Sequence, residues 1–347
     1  MQIDKEKIKK ILCIKPRGIG DIILSTVILE NLAEYYPYAQ IDYLTENFAR
    51  ASVENNPLVK NVLTMNEGEF PLIVALRIKK KKYDLILDLW SNPRTAQITF
   101  LSGVKYRVGF AYRGRKYAYN ILATGERGIH HSAEHNLEIL KPLNVPVNTK
   151  RIHFYVSEKD DEYGKNFIKK YCKADRLIVG IIPAGGWPSK RCDATKWVEI
   201  CSAINKNYKT GFLILWGPGD EYDADYIKNH FPDRTVLAPK TSLRQLAGLI
   251  KNCDFILAND SGPMHMAVAL GIPTLGIFGP TDPAKHGPYS KKSDYVIKED
   301  LFCIKCDYLE CPYNHECMLQ LSNKEIINKF NSVLKRNNIE AVSDEKD

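Results

Sequence analysis

One pattern constrains this chain more than any other: a short apolar, β-branched run, then a loop bearing glycine or proline, then a helical stretch. In the first half the runs are residues 11–15, 41–44, 85–89 and 107–110, and the helical stretches are 21–36, 70–82 and 134–143. In the second half the runs are 177–182, 212–216, 255–258 and 274–278, with helices over about 193–206, from Ser242 to near Asn252, and over 263–270. Ser242-x-x-Gln245 is a capping box that opens one of these helices. Strands alternating with helices imply parallel sheets covered by helices on both faces, an α/β fold.

At 347 residues the chain is long enough for two domains. The join is expected within 150–173, giving 1–160 and 161–325, followed by a helix and polar tail over 326–347. No apolar run reaches the ~18–20 residues a membrane span requires. The polar start, with no apolar stretch behind it, predicts no signal peptide and a cytoplasmic location. The net charge of +8 favours acidic partners, although a basic solvated surface gives the same number.

The chemistry-bearing residues gather in loops that follow strands, where open α/β sheets bind ligands. Arg17-Gly18-Ile19-Gly20-Asp21 joins the first strand to the first helix. Gly18 and Gly20 allow a tight turn and close approach of a ligand. Asp21 reads as a helix-start acid, as a general base, or as both. The third glycine of a dinucleotide fingerprint is replaced by Ile23, yet Glu46 after the second strand could stand in for a ribose-binding acid, so an NAD-dependent oxidoreductase stays a competing reading. Gly185, Gly186, Lys190 and Arg191, between a strand and a helix, form a candidate phosphate site or an exposed basic turn. Glu221 follows Gly217-Pro218-Gly219-Asp220 and suits either ribose hydroxyls or a helix start. In Asn259-Asp260-Ser261-Gly262-Pro263-Met264-His265, the residues Asp260, Ser261, Gly262 and His265 surround a helix N-terminus fit for a diphosphate. Phe278-Gly279-Pro280-Thr281-Asp282-Pro283 ends the next strand.

Gly20-Asp21, Lys190-Arg191, the Asn259–His265 segment and Phe278-Gly279-Pro280-Thr281 together resemble the ADP-heptose:lipopolysaccharide heptosyltransferases, over about residues 10–335. The resemblance implies a GT-B architecture, two Rossmann-like domains facing each other across a cleft. The first domain would bind the acceptor and the second the nucleotide sugar. It implies that Asp21 is the catalytic base, that Lys190 steadies the donor phosphates, that Glu221 lies near the ribose, and that Asp260, Ser261, Gly262 and His265 hold the nucleotide sugar with Gly185. Gly18, Gly20, Arg94 and Arg113 are then acceptor-side candidates, with Arg107, Arg115 and Lys116 equally suited to a solvated basic face. The implied reaction is a single inverting displacement without a cofactor or an essential metal. Its partners would be a nucleotide-sugar donor, ADP-heptose by family default, and an acidic glycolipid or glycan acceptor, with no nucleic acid. Peripheral association with the inner face of the inner membrane would be electrostatic, since the sequence shows no evident amphipathic anchor.

Nine cysteines are present, of which Cys303, Cys306, Cys311 and Cys317 cluster around His315. The spacing suits a structural metal site, paired thiols or free thiols alike. A similar stretch occurs in many heptosyltransferases, and the resemblance implies no catalytic role for it. A basic nucleic-acid-binding module using these cysteines is the third reading, although most distinctive residues sit at strand ends, where small ligands bind.

Overall fold

The computed structural model describes residues 3–126, 128–173 and 175–340, so all but the first residue of the expected polar tail, 340–347, lies outside the described residues. The chain divides into two compact units, Met1–Tyr155 and Val156–Asp347.

In the first unit six strands, β1 (Lys10–Ile14), β2 (Gln40–Glu46), β3 (Asn61–Met65), β4 (Leu85–Asp88), β5 (Tyr106–Phe110) and β6 (Ile121–Ala123), form one parallel sheet. Its order is β3-β2-β1-β4-β5-β6. That is a doubly wound arrangement, with the strand order reversing between β1 and β4. Ile11, Leu12 and Ile14 of β1 are fully buried and register against Ile41, Asp42 and Leu44 on one side and Leu85, Ile86 and Asp88 on the other. The helices are α1 (Ile19–Ser25), α2 (Leu29–Tyr35), α3 (Pro71–Lys81), α4 (Pro93–Leu101) and α5 (Ser132–Leu137).

Two expected helices are broken, for local reasons. The stretch 21–36 is α1, a 3₁₀ turn at Thr26–Ile28, and α2. Ser25 Oγ donates to the Ile22 carbonyl at 2.7 Å and Thr26 Oγ1 to that of Ile23 at 2.6 Å, side-chain bonds that compete with the helical ladder. The stretch 134–143 becomes α5 and a 3₁₀ turn, Glu138–Leu143, which contains Pro142. The sequence reading passed over β3, β6 and α4. The last carries a legible signal, because Asn92 caps it reciprocally with Thr95 and Pro93 follows.

The second unit opens with α6 (Glu158–Tyr171) and contains β7 (Leu177–Ile182), α7 (Ala194–Asn205), β8 (Thr210–Ile214), α8 (Glu221–His230), β9 (Thr235–Leu237), α9 (Leu243–Lys251), β10 (Phe255–Asn259), α10 (Gly262–Ala269), β11 (Thr274–Phe278), α11 (Pro283–His286), β12 (Asp294–Ile297), α12 (Glu316–Leu319) and α13 (Asn323–Arg336). Its parallel six-stranded sheet has the order β12-β11-β10-β7-β8-β9, the same winding as the first sheet, with the reversal between β7 and β10. The expected capping box is present, with Ser242 and Gln245 bonding reciprocally at 3.2 and 2.9 Å. Trp197, Phe212, Phe255 and Phe330 are buried in one core, which joins α7 and α13 to the sheet. Where α6 crosses α9 the backbones touch: a Cβ on Gly164 would overlap the Gly248 carbonyl, and one on Gly248 would overlap that of Asp160. The short strands β9 and β12 went unread in the sequence, and of α8 only the start at Glu221 was considered. Each strand is only three or four residues long and carries no alternating pattern.

Both sheets thus present the loops after β1 and β4, and after β7 and β10, at points of strand reversal. Among the described residues no helix is long and apolar enough to cross a membrane.

Candidate active site

In the first unit the loop after β1 turns at Gly18, whose φ of 79° places it in the left-handed region. Asp21 lies in the first turn of α1, half-buried, where the free N–H groups and the helix dipole favour an anion. Its carboxylate folds back over Gly18 so closely that any Cβ there would overlap Oδ2. Gly18 is therefore required twice, by backbone angle and by space. Gly20 is buried inside α1. No ion pair among the described residues engages Asp21, so its carboxylate keeps the lone pairs a proton acceptor needs.

Sequence reasoning missed Lys15, which closes β1. It is 6% exposed, and its ammonium reaches across the strand reversal to the Leu89 carbonyl (3.3 Å) and to Asn136 Oδ1 (3.4 Å), with the Trp90 ring 4.8 Å away. A lysine ending an apolar strand just before Pro-Arg-Gly was the available signal.

The arginines expected on the acceptor side divide. Arg94 is occupied: it contacts Glu46 Oε1 at 3.2 Å and the carbonyls of Asn66 and Glu69 at 2.6 and 2.9 Å. Arg107 is likewise spent on the carbonyls of Val104 and Ala118. Arg113 is exposed on a 3₁₀ turn, at φ 42°. Arg115 is half-buried on the same turn and Lys116 is exposed. Glu46, considered as a ribose-binding acid, is buried and paired with both Arg94 and Arg17. That corrects the dinucleotide reading, since its carboxylate braces a loop and is not offered to a ligand.

In the second unit the site is built around an ion pair. Lys190 ends a 3₁₀ turn, Pro188–Lys190, and its Nζ lies 2.6 Å from Asp260 Oδ2 and 3.7 Å from the centre of the Trp187 ring. Both partners are nearly buried, at 9% and 4% exposure. Thr281 Oγ1 donates to the same Asp260 oxygen at 2.7 Å. Thr281 stood inside a recognised motif, but no role was assigned to it. Asn259 Nδ2 donates to the Pro183 carbonyl at 2.7 Å, which ties the end of β10 to the end of β7 across the reversal.

Ser261 is the N-cap of α10 but makes no side-chain capping bond, and its buried Oγ has no partner, nor has Asn259 Oδ1. Gly262 begins α10, and His265 is buried in its first turn. A buried, partnerless hydroxyl beside a helix N-terminus and a fixed lysine has the chemistry to bind an anion, whereas the Asn259 amide oxygen can only accept a hydrogen bond.

Gly185 is needed for packing, because a Cβ there would lie 2.7 Å from Arg191 Cγ. Arg191 points away from Lys190 and bonds the Gly219 carbonyl (2.9 Å), Asp223 (3.3 Å) and the Asp220 carboxylate. Burial raises the pKa of Asp220 and Asp223 against the pull of that guanidinium. Glu221 is exposed on the adjoining helix start. Its own N–H and that of Gly219, bonded at 2.8 Å, hold its carboxyl below the usual range. The structure thus joins Lys190, Asp260, Ser261 and Gly262 in one place and leaves Glu221 one loop away, linked through Arg191 and Asp220.

None of the cluster's cysteines is in a disulfide, and Cys303, Cys306, Cys311 and Cys317 line one small cavity with His315.

Comparison with known proteins agrees with this geometry. The model of glycosyltransferase family 9 (heptosyltransferase) matches residues 73–316. Lipooligosaccharide heptosyltransferase 2 of Haemophilus ducreyi is 26% identical over 94% of this chain and 99% of its own length. Two solved structures share the fold. The glycosyl transferase family 9 protein of Veillonella parvula has a TM-score of 0.86 at 21% identity, covering 96% of this chain and 99% of its own. The ADP-heptose lps heptosyltransferase II of Escherichia coli has a TM-score of 0.78 at 22% identity, covering 95% and 99%. A matched family model over more than half of its length, on two Rossmann-like α/β units, makes this chain a glycosyltransferase of the GT-B class, and it belongs to family 9, the heptosyltransferases.

Proposed function

We propose that the enzyme transfers a heptose from ADP-heptose to a lipopolysaccharide or lipooligosaccharide core, or a similar glycan. The first unit would take the acceptor and the second the donor. Asp21 removes the proton of the attacking acceptor hydroxyl as its oxygen bonds to the anomeric carbon. The bond from that carbon to the diphosphate breaks on the opposite face, inverting the centre. Charge developing on the leaving diphosphate is met by Lys190 and by the N-terminus of α10, with Ser261 Oγ as a hydrogen-bond donor. Glu221 accepts hydrogen bonds from the ribose, and His265 lines the nucleotide-sugar segment. The observation that carries this reading is the buried Lys190–Asp260–Thr281 knot beside the partnerless Ser261 hydroxyl. ADP as the nucleotide follows the E. coli ADP-heptose lps heptosyltransferase II, which shares this fold.

Thermal shift with ADP, UDP, GDP, CMP and NAD tests it. ADP is expected to stabilise most, by about 2.7 kcal/mol at a hundredfold excess over Kd. Ser261→Ala should shrink that shift without lowering the stability of the free enzyme. Stabilisation by NAD, or by none of the five, would sink the reading.

An acceptor carried on a lipid calls for contact with a membrane surface, and α3 offers the means. It exposes Leu72, Ile73 and Leu76 beside exposed Phe70, and ends in lysines 79–82. Exposed apolar side chains beside a run of lysines suit a peripheral, anionic lipid surface at the inner face of the inner membrane. Co-sedimentation with phosphatidylglycerol vesicles, lost in Ile73→Ser/Leu76→Ser, is the expected outcome; equal binding by the double variant would refute a role for α3.

A further inference from the structure

Between β12 and α12 the chain runs through residues 298–315 with no helix or strand. This loop has little apolar burial of its own: Phe302, Tyr308, Leu309 and Tyr313 are exposed, and only Leu301 and Ile304 pack partly on the core. Three of its non-glycine residues, Lys305, Asp307 and His315, hold left-handed backbone angles with φ of 55–60°. Such angles are disfavoured for residues with a Cβ, and they persist only where something over-determines the chain. A loop without a core needs a staple.

The candidates for that staple converge. Cys303, Cys306, Cys311 and Cys317 all line a single cavity of about 10 Å³, room for a sphere about the size of one water molecule. Gly279 makes space for one of the sulfurs, since a Cβ at that position would stand 2.7 Å from Cys317 Sγ. None of the thiols is in a disulfide. His315 is committed elsewhere, its Nε2 lying 2.7 Å from the Ser189 carbonyl. Glu316 also lines the cavity, but the four soft donors there are the cysteine sulfurs. We propose that these cysteines form a tetrathiolate site for one thiophilic d-block cation, zinc or iron, which staples the loop. Among the described residues no three ligating side chains already stand in coordinating geometry. Binding therefore includes a turn of the cysteine side chains toward the ion.

The loop is bonded to both segments that build the Lys190–Asp260–Thr281 knot. Lys305 N donates to the Gly279 carbonyl and Asp307 N to that of Pro280, at 3.2 and 2.8 Å, just ahead of Thr281. On the other side Ser189 N donates to the Leu309 carbonyl at 3.2 Å and Ser189 Oγ to that of Tyr308 at 2.5 Å, just ahead of Lys190. The ion touches no substrate. The cysteines are positioning residues that fix where Lys190 and Thr281 meet Asp260.

The experiment is metal analysis of the full-length protein, purified without added metal or chelator, beside Cys306→Ser and Cys311→Ser. A single zinc or iron per chain is expected, lost in both variants while the circular dichroism is kept. Cobalt substituted into the wild type should show thiolate charge-transfer and tetrahedral ligand-field bands. Trace metal in the wild type, metal content unchanged in the variants, or a disulfide between these cysteines in the native protein overturns the site. These readouts do not depend on the assigned reaction. Removal of the ion should also raise the donor KM several-fold and leave kcat less affected. A metal that binds but whose removal leaves the donor KM unmoved overturns the positioning role.

Discussion

The two sheets are wound alike, yet they handle charge at the strand reversal in opposite ways. The first unit presents an anion, Asp21, that no ion pair among the described residues engages, and bridges its reversal with Lys15 bonded to Leu89 and Asn136. The second presents a cation, Lys190, already locked to Asp260 and bridged through Asn259 to Pro183. In the proposed mechanism the shared winding says where chemistry can happen, and the charge arrangement says which part of it happens there. A group that must accept a proton has to be left unneutralised, whereas a group that must stabilise developing charge works best held still beforehand.

That contrast can be broken at either end. Asp21→Asn keeps the shape and removes the base, so kcat should fall by about 10²–10⁴-fold with little change in KM or melting temperature. A loss under tenfold in a nucleotide-release assay would take Asp21 out of the base role. Lys190→Ala should cost about 10²–10³-fold in kcat. Unlike the first variant it should also destabilise the fold, by about 3–5 kcal/mol, because Asp260 is left buried and unpaired. Denaturant unfolding of both singles and of Lys190→Ala/Asp260→Ala checks this, and strictly additive losses would dissolve the pair. Asn259→Leu removes the bridge of the second reversal and should cost about 1–3 kcal/mol, read in the same way. Gly18→Ala should cost about 1–2 kcal/mol from its left-handed backbone angle alone, and should depress activity by displacing the Asp21 carboxylate.

The smallest expected effect separates the units by pH. Burial lowers the pKa of His153, in the first unit, more than Glu30 raises it. The unfolded chain therefore takes up a proton that the folded chain refuses, and stability falls as pH drops below about 6.5. His153→Gln should flatten the fall of melting temperature below about pH 6.5; an unchanged slope would assign the loss to other groups.

The alternation of apolar runs and helical stretches was enough to read the fold class, because buried parallel strands and capped helices write their periods directly into the chain. The loops at strand ends were legible for the same reason, and Asp21, Lys190, Asp260 and Ser261 stood out there. What could not be read was pairing between segments distant in sequence. Arg94 looked like a free cation until the 66–69 turn and Glu46 were seen around it. Glu46 looked like a ligand-binding acid for the converse reason. Lys15 was hidden by counting as the end of a strand. The break of the first helix at Ser25 and Thr26 came from side-chain bonds to the Ile22 and Ile23 carbonyls, which apolar periodicity does not register.

The backbone crossing of α6 and α9 also bears on how the chain is made. The first unit comprises one continuous stretch ending at Tyr155, so it can condense as soon as that stretch has left the ribosome. The helix that follows cannot seat itself so early. Gly164 needs the Gly248 backbone against it, and 84 residues separate the two. During synthesis α6 must wait, its binding face open to water and to chaperones, until α9 emerges. A substitution at either glycine would thus do its first harm on the nascent chain, as slow completion and lower yield of the second half.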